Sequence, residues 1–229
     1  MWVIEDGQLL GQQSGWDRAA QFGDGVFETM RLKHGQLLAV NRHAVRLSRG
    51  LTALDIQPGQ GISDLLVNTC DQLVKASGLD DGVFKVIISR GKTHRGYRYP
   101  QNIAPCITGF LSPTQTTSEA FKDKGVKIRF CHTQSSIQAQ LAGIKHLNRL
   151  DSVLAASELG EDVQEGLMLN ADEHVIEGTM SNLFLETEHG LITPELTKSG
   201  VCGTVRESIL EFCKHHHIRC DVTQVRRQD

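Results

Sequence analysis

Lys145 is the residue of this chain whose surroundings best suit covalent or acid–base chemistry. It lies in the segment 141–150, just before a predicted helix, and has apolar neighbours at Leu141, Ile144 and Leu147. Loss of water around a lysine amine lowers its pKa and makes the amine a nucleophile or a base. A lysine that extends from a strand end into solvent would have the same local sequence, and local sequence alone favours that simpler interpretation. Lys145 therefore needs partners elsewhere in the chain.

Two further segments carry groups that could act together with such a lysine. Glu177 ends a predicted strand and is followed by the polar turn 178–182. Residues 200–206 run directly into a predicted helix, where glycine, backbone amides and a hydroxyl can bind an anion such as phosphate. Separately, these segments could be an ordinary hairpin and an ordinary helix cap. Together with the lysine they match the needs of pyridoxal phosphate enzymes: an amine that binds the cofactor, an acid at its pyridine nitrogen and a phosphate anchor.

Two other motifs fail on their spacing. Residues 91–93 end like a phosphate-binding P-loop, but Val86 stands where that loop needs its first glycine. Cys213, the histidines 215–217 and Cys220 are all possible zinc ligands. Three consecutive histidines cannot point the same way, and no second ligand pair lies elsewhere, so we predict no metal site.

The first half of the chain must position part of this chemistry, and its pattern predicts hairpins and helices. Apolar residues lead into and out of a tight turn at His34 and Gly35. Asn41 is predicted to cap one helix, and Ser63 to cap another that ends at Gly78. Dense β-branched content predicts two buried strands, residues 83–88 and 106–111.

The second half is predicted to be richer in strands. Alternation at 126–130 predicts a strand with one exposed face. A helix ending near Gly160 is predicted from one stripe of residues, namely Leu150, Val153, Leu154 and Ser157. The remaining predicted elements are strand pairs 167–170 with 175–177 and 183–185 with 191–193, helix 205–213 and strand 218–222. Hairpins without a regular βαβ alternation indicate the α+β class.

A polar segment that contains a proline divides the chain near its midpoint. We predict an N-terminal domain of residues 1–112, an interdomain linker of residues 113–119 and a C-terminal domain of residues 120–229. Residues 222–229 follow a predicted strand without a closing element, so the second domain is expected to be short at its C-terminus.

Composition excludes several classes of protein. In 229 residues, 24 Lys and Arg stand against 27 Asp and Glu, without the basic stripe that a nucleic-acid binder needs. No apolar run approaches the roughly 20 residues of a membrane-spanning helix, and acids stand where a secretory signal carries basic residues. The six scattered cysteines are predicted to be reduced. We therefore expect a cytoplasmic protein that binds neither nucleic acid nor membranes.

The motifs around the candidate groups resemble those of the fold-type IV pyridoxal phosphate enzymes. The resemblance rests on residues 22–28, 43–47, 144–150, 177–184 and 203–206. This class includes the branched-chain and D-amino-acid aminotransferases and the aminodeoxychorismate lyases. The parts most similar to the lyases are residues 86–91, 95–97 and 142–150, with Thr29, whose hydroxyl the aminotransferases usually lack.

The resemblance implies a two-domain fold like that of D-amino-acid aminotransferase. The smaller N-terminal domain would be α/β and the larger C-terminal domain rich in β structure, with a homodimer as the assembly and the site between domains. It also implies that family members continue for roughly another forty residues, enough for one more helix-and-strand unit. Those residues would supply a loop beside the phosphate and the substrate.

A role for each candidate residue follows from the resemblance. Lys145 would bind pyridoxal 5'-phosphate as a Schiff base and then act as the general base, while Glu177 would contact the pyridine nitrogen. Cofactor binding would further involve Arg46, Ser181, Asn182, Gly203, Thr204 and Val205. Arg95, with Tyr97, would receive a substrate carboxylate, unless it is a solvated loop arginine. Thr29 would relay a proton toward the leaving group.

The implied reaction belongs to folate biosynthesis. The anionic small molecule 4-amino-4-deoxychorismate would be split into 4-aminobenzoate and pyruvate, without an amino acceptor. A D- or branched-chain amino-acid aminotransferase on the same scaffold is the alternative. An inactive dimeric homologue is the third interpretation; the short C-terminus favours it, whereas retention of Lys145, Glu177, Arg46 and the Gly203 turn opposes it.

Overall fold

The structure is a computed structural model, and it describes residues 2–5, 8–12, 15–114, 121 and 124–229. The chain divides into two compact units. The first comprises Met1–Thr114 together with Lys145–Asn148, and the second comprises Gln115–Ile144 together with Arg149–Asp229. The predicted linker lies outside the described residues from position 115 to 119, so the predicted domain limits stay a prediction. The sequence pattern did not indicate that Lys145 belongs with the first unit.

The N-terminal unit is organised by an antiparallel sheet, in the order β5-β4-β6-β8. Its described helices are α1 (Arg18–Phe22), α2 (Val40–Ala53) and α3 (Ile62–Ser77). The strands are β1 (Trp2–Glu5), β2 (Gln8–Gln12), β3 (Trp16–Asp17), β4 (Gly25–Lys33), β5 (Gln36–Leu37), β6 (Gly82–Ser89), β7 (Lys92–Thr93) and β8 (Cys106–Ser112). Two smaller strand pairs, β1 with β2 and β3 with β7, complete its β structure.

The core of this unit lies on one face of β4 and β6. Because strand side chains alternate between faces, the even-numbered residues of β4 are buried and the odd-numbered ones, such as Phe27 and Thr29, lie on the other face. The buried face includes Met30, Leu32, Phe84, Val86 and Ile88, and α2 and α3 add Leu47, Leu51, Leu65 and Leu66. This alternation decides which β4 residues are available for chemistry.

Some predicted elements of this unit are confirmed and others are wrong in detail. The predicted tight turn at His34 and Gly35 is present, with positive φ angles at both residues, and Gly78 ends α3 in the left-handed conformation as predicted. The predicted caps are wrong: α2 follows Ala39 and α3 follows Gly61, and neither helix has a side-chain cap. Strand β8 was predicted to be buried, but it is an edge strand with an exposed face.

The C-terminal unit contains two sheets, in the orders β15-β11-β10-β9 and β12-β13-β14. Its described helices are α4 (Leu150–Ser157) and α5 (Thr204–His215). The strands are β9 (Ile128–Phe130), β10 (Glu165–Leu169), β11 (His174–Gly178), β12 (Leu185–Thr187), β13 (Gly190–Pro194), β14 (Cys220–Thr223) and β15 (Val225–Arg226). The predicted hairpin from residue 167 to 177 is confirmed as β10 and β11.

One expectation for this unit is wrong: the last residues do contain a further element, because β15 pairs with β11 and buries Val225. The predicted helix before Gly160 is present as α4. Its apolar stripe is exposed, since Leu150, Val153 and Leu154 are 75%, 59% and 57% exposed and the buried residue is Ala155. No helix in the described part of the chain combines the length and the apolar character needed to cross a membrane.

Candidate active site

The structure places Lys145 against the start of β4. The backbone amide of Phe27 donates to the Lys145 carbonyl at 3.0 Å, and the amide of Leu147 donates to the Gly25 carbonyl at the same distance. The Lys145 Nζ lies 4.4 Å from the centre of the Phe27 ring, where a cation is attracted by the ring face. Since Thr29 is on the same face of β4 as Phe27, the structure brings the predicted base and the predicted proton relay to one surface.

Glu28 points to the opposite, buried face of β4 and binds two basic side chains of α2. Its Oε2 lies 2.7 Å from His43 Nδ1 and accepts from Arg46 Nη2 at 2.6 Å, while its Oε1 accepts from Arg46 Nε at 2.7 Å. Burial alone would raise the pKa of Glu28, but the hydrogen bonds from Arg46 and His43 together bring that pKa below its ordinary value. Glu28 is therefore held ionised inside the N-terminal unit.

Arg46 was predicted to bind the cofactor phosphate, and the structure shows what else it does. It is 7% exposed, and two of its guanidinium nitrogens donate to Glu28 in a bidentate arrangement. Sequence reasoning missed this partner, because Glu28 precedes Arg46 by 18 residues on a different element. The phosphate role of Arg46 stays a prediction.

Glu177, at the end of β11, is connected to the start of α5 through Asn182. The Glu177 Oε2 accepts from Asn182 Nδ2 at 3.1 Å and from the amide of Val201 at 2.9 Å. Asn182 also donates to the Val201 carbonyl at 2.9 Å and accepts from the Gly203 amide at 3.1 Å. One amide side chain thus fixes the predicted pyridine acid relative to the predicted phosphate anchor.

The N-terminus of α5 has the features of an anion site. Gly203 is the residue before the first turn, and no side chain caps the helix there. The first amides of a helix have no partner four residues back, so Thr204 and Val205 present donors at the positive end of the helix dipole. A Cβ built on Gly203 would lie 2.0 Å from Asn182 Oδ1, so glycine is required by this close approach.

Glu165, at the start of β10, organises the turn between Glu177 and Asn182. Its Oε1 accepts from the amide and hydroxyl of Thr179 at 2.9 and 2.6 Å, and its Oε2 accepts from the Ser181 hydroxyl at 2.7 Å. Burial raises the pKa of Glu165, but the Thr179 and Ser181 hydrogen bonds outweigh it and the pKa is lowered overall. Sequence reasoning gave Glu165 no role, and it assigned Ser181 to cofactor binding, which no contact here tests.

Arg149 is a second residue near Glu177 that sequence reasoning left without a role. Its Nη2 donates to the Ile144 carbonyl at 3.5 Å. Burial lowers the pKa of Arg149, and the neighbouring charges of Glu177 and Asp151 act in the opposite direction. The Arg149 guanidinium therefore places a positive charge near the Glu177 carboxylate.

The two predicted substrate residues lie on an exposed loop of the N-terminal unit. Arg95 is exposed, and Tyr97 is 82% exposed with its ring centre 5.3 Å from that of Phe22. The backbone carbonyls of Gly96 and Tyr97 accept hydrogen bonds from Arg18. Arg18 therefore fixes the backbone of this loop, while the side chains of Arg95 and Tyr97 remain exposed.

Comparison with known proteins places these features in a family. The family model for amino-transferase class IV matches residues 25–229. The chain belongs to the aminotransferase class IV family. The match confirms the resemblance seen in the motifs, and it includes the segments that contain Lys145, Glu177 and Gly203.

Individual relatives are of two kinds. An aminodeoxychorismate lyase from Vibrio harveyi is 38% identical over 200 residues, which are 86% of this chain and 71% of that protein. A D-alanine aminotransferase from Bacillus licheniformis is 26% identical over 213 residues, 93% of this chain and 74% of its own length. The crystal structure of 4-amino-4-deoxychorismate lyase from Pseudomonas aeruginosa matches with a TM-score of 0.86 and 35% identity, covering 97% of this chain and 81% of that one. The predicted fold class is confirmed.

Proposed function

We propose that this member of the family is a pyridoxal phosphate-dependent 4-amino-4-deoxychorismate lyase that forms 4-aminobenzoate and pyruvate. The observation that carries the proposal is that Thr29 shares a face of β4 with Phe27, whose ring lies 4.4 Å from the Lys145 amine. A lyase needs a base for the carbon that bears the amine and an acid for the departing oxygen. The higher identity to a lyase than to an aminotransferase, 38% against 26%, supports the same choice.

The residues present fit pyridoxal phosphate when each unit is considered by itself. In the C-terminal unit, the uncapped start of α5 suits a phosphate, and the buried carboxylate of Glu177 suits a protonated ring nitrogen. In the N-terminal unit, Lys145 supplies the amine that would hold the cofactor. When bound, pyridoxal phosphate supplies an electron sink for the negative charge left by proton removal.

The chain's own residues would then act on an anionic substrate. Lys145 would take the proton from the carbon that bears the substrate amine, and Thr29 would give a proton to the enolpyruvyl oxygen as its bond to the ring breaks. Arg95 would bind a substrate carboxylate through its planar guanidinium, with Tyr97 beside it. The ring becomes aromatic and pyruvate leaves, so no amino acceptor is consumed.

Pyruvate release tests the proposal. Purified protein with pyridoxal phosphate and 4-amino-4-deoxychorismate is expected to release pyruvate, measured by coupled reduction with lactate dehydrogenase. Lys145→Ala should lower kcat by about 10³-fold and Thr29→Val by about 10²-fold, the range of acid–base catalysis. Lys127→Ala removes an exposed lysine of the other unit and should leave kcat unchanged.

Amino-group transfer is the competing outcome. The D-alanine aminotransferase relative favours it as the second candidate. Transfer from D-alanine or a branched-chain amino acid to 2-oxoglutarate, without pyruvate from aminodeoxychorismate, would show that the lyase assignment is wrong. Absence of both activities, in protein that borohydride labels with cofactor at Lys145, would identify an inactive homologue.

We also propose that the protein is a cytoplasmic homodimer. All six cysteines lie in the described part of the chain and are free thiols, which supports a reducing compartment. The exposed apolar side chains of α4 support a subunit contact, because such a surface is normally covered.

A further inference from the structure

A buried charged cluster of Arg18, Asp24 and Arg90 lies in the N-terminal unit and has no part in the chemistry described above. Arg18 and Arg90 are 3% and 5% exposed. Asp24 Oδ2 accepts from Arg18 Nε at 2.7 Å and from Arg90 Nε at 2.8 Å, and its Oδ1 accepts from Arg90 Nη2 at 3.1 Å. Two guanidinium groups therefore share one carboxylate away from solvent.

The remaining donors of Arg18 reach the loop that carries Arg95. Its Nη1 donates to the Gly96 carbonyl at 3.1 Å and to Thr93 Oγ1 at 3.1 Å, and its Nη2 donates to the Tyr97 carbonyl at 2.9 Å. Gly96 has a φ of 100°, a conformation that L side chains rarely adopt. The two carbonyls directly after Arg95 are thus fixed by one rigid, fork-shaped side chain.

Arg90 holds the far side of the same loop. Its guanidinium carbon lies 3.7 Å from the centre of the Tyr99 ring, and its Nη1 and Nη2 donate to the Asp55 and Leu54 carbonyls at 3.0 and 2.6 Å. Residues 96–99 are consequently tied at two points to the body of the unit. This arrangement limits the positions that the preceding Arg95 can reach.

Asp24 makes the arrangement possible. Burial alone raises the pKa of Asp24, yet hydrogen bonds and charge from Arg90 and Arg18 bring that pKa below its ordinary value. An ionised Asp24 compensates two buried cations that would otherwise be strongly destabilising. It also orients both guanidinium groups, because each donates its Nε to the same oxygen.

We propose that Arg18 is a positioning residue for substrate binding: oriented by Asp24, it fixes the carbonyls of Gly96 and Tyr97 and thereby sets the position of Arg95. The inference rests on the proposed function, in which Arg95 binds a substrate carboxylate. Arg18 acts through the loop and does not touch the substrate. Its effect is therefore on KM rather than on the chemical step.

Arg18→Lys tests this role with little change in charge. An ammonium can still pair with Asp24, but it lacks the fork that reaches two carbonyls. We expect KM for 4-amino-4-deoxychorismate to rise about tenfold, the cost of slight misplacement of a binding group, with kcat changed less than about threefold. Arg31→Lys is the matched control, because Arg31 also binds one carboxylate and one carbonyl of the same unit but does so at the surface.

A double variant shows whether Arg18 acts through Arg95. In the Arg95→Ala background, Arg18→Lys should not raise KM further, because the group that it positions is gone. An Arg18→Lys increase in KM of the same factor in both backgrounds would overturn the proposal, because it would show that the two residues act independently. A lower kcat and a lower melting temperature with unchanged KM would also overturn it, since they would indicate a purely structural role.

Limited proteolysis separates this inference from the proposed function. Trypsin cleavage after Arg95 and Arg98 is followed by mass spectrometry in the intact protein and in Arg18→Lys. Faster cleavage at these two bonds in the variant, but not in Arg31→Lys, is expected whether or not the protein releases pyruvate. Equal cleavage rates would show that Arg18 does not hold the loop.

Discussion

Glu28 links two elements of the N-terminal unit through a single buried carboxylate. Its charge is compensated by Arg46, His43 forms a hydrogen bond with the same carboxylate, and the side chain is fully inaccessible to solvent. Removing one member of such a group leaves a buried charge or polar group without its partner. The resulting loss of folding free energy is larger than the stabilisation that the intact group provides. At the scale of single residues, stability therefore depends on all three members being present.

Glu28→Gln is expected to lower the free energy of unfolding by about 3 kcal/mol at neutral pH, because the amide leaves the buried Arg46 guanidinium without a countercharge. Urea denaturation measures this difference. The matched control is Asp81→Asn, which breaks an ion pair that is 36% and 44% exposed and should cost less than about 1 kcal/mol. Equal losses in the two variants would contradict a special role of burial.

The same pair of proteins should show a pH dependence of defined sign. The pKa of Glu28 in the folded protein is below its ordinary value of 4.5, so its contribution is present above that pH. As pH falls below about 4.5 and through the lower folded pKa, the wild-type protein should lose stability relative to Glu28→Gln, until the two unfold alike. A difference that does not change down to pH 2 would show that Glu28 is not ionised in the fold.

Residues of this kind limit what a sequence alone can predict. Turns at Gly35 and Gly78 were predictable because φ angles above zero are a local property of glycine. The partners of Arg46 and the role of Glu165 depend on contacts between separate elements, and no local pattern contains them. Asn41 and Ser63 have side chains that can cap a helix. The helices begin one residue before each of them, at Val40 and Ile62, so Ala39 and Gly61 occupy the cap positions.

At the scale of elements, the turn after β11 connects residues of the proposed cofactor site. Glu165 holds Thr179 and Ser181, and the turn so formed brings Asn182 between Glu177 and Gly203. The turn has little regular structure of its own, so these side-chain hydrogen bonds must provide its rigidity. Glu165 should therefore affect cofactor affinity by ordering this turn, although Glu165 itself does not contact the cofactor.

Glu165→Gln tests this ordering, because glutamine keeps one acceptor oxygen and replaces the other with a donor, so it cannot accept hydrogen bonds from both Thr179 and Ser181 as the carboxylate does. This loss should lower the free energy of unfolding by about 1–3 kcal/mol and weaken pyridoxal phosphate binding about tenfold. Urea denaturation and an absorbance titration measure the two effects. Glu161→Gln, an exposed residue of the same unit, should change neither. Unaltered cofactor affinity in Glu165→Gln would show that the turn needs no such support.

Gly203→Ala tests the close approach at the start of α5. The backbone at Gly203, with φ −64° and ψ 141°, accepts any residue, so the predicted defect comes from the contact of the new Cβ with Asn182. Cofactor affinity should fall at least about tenfold, the lower end of the loss caused when a residue that orients a binding group is changed. Because a smaller side chain makes room, Gly203→Ala should be less harmful in the Asn182→Ala background. Equal effects in both backgrounds would mean that the contact is not the cause.

At the scale of the whole molecule, the exposed apolar side chains of α4 are the observation that supports the proposed homodimer. The periodicity of its apolar residues predicted a helix with these residues on one stripe; the helix is present, and the stripe is exposed. Periodicity reports which residues share a face and cannot report what covers that face. A second copy of the chain is the occupant that the proposed homodimer requires.

The double variant Val153→Glu and Leu154→Glu should separate that homodimer into monomers, because two carboxylates would be buried without partners at the contact. Sedimentation velocity over a range of concentrations measures the change, and circular dichroism checks that the fold is retained. Val67→Glu, which changes a 40% exposed apolar residue of α3, is the control and should sediment like the wild-type protein. A wild-type protein that is monomeric at all concentrations would contradict the homodimer. A variant that remains dimeric would place the subunit contact on a surface other than α4.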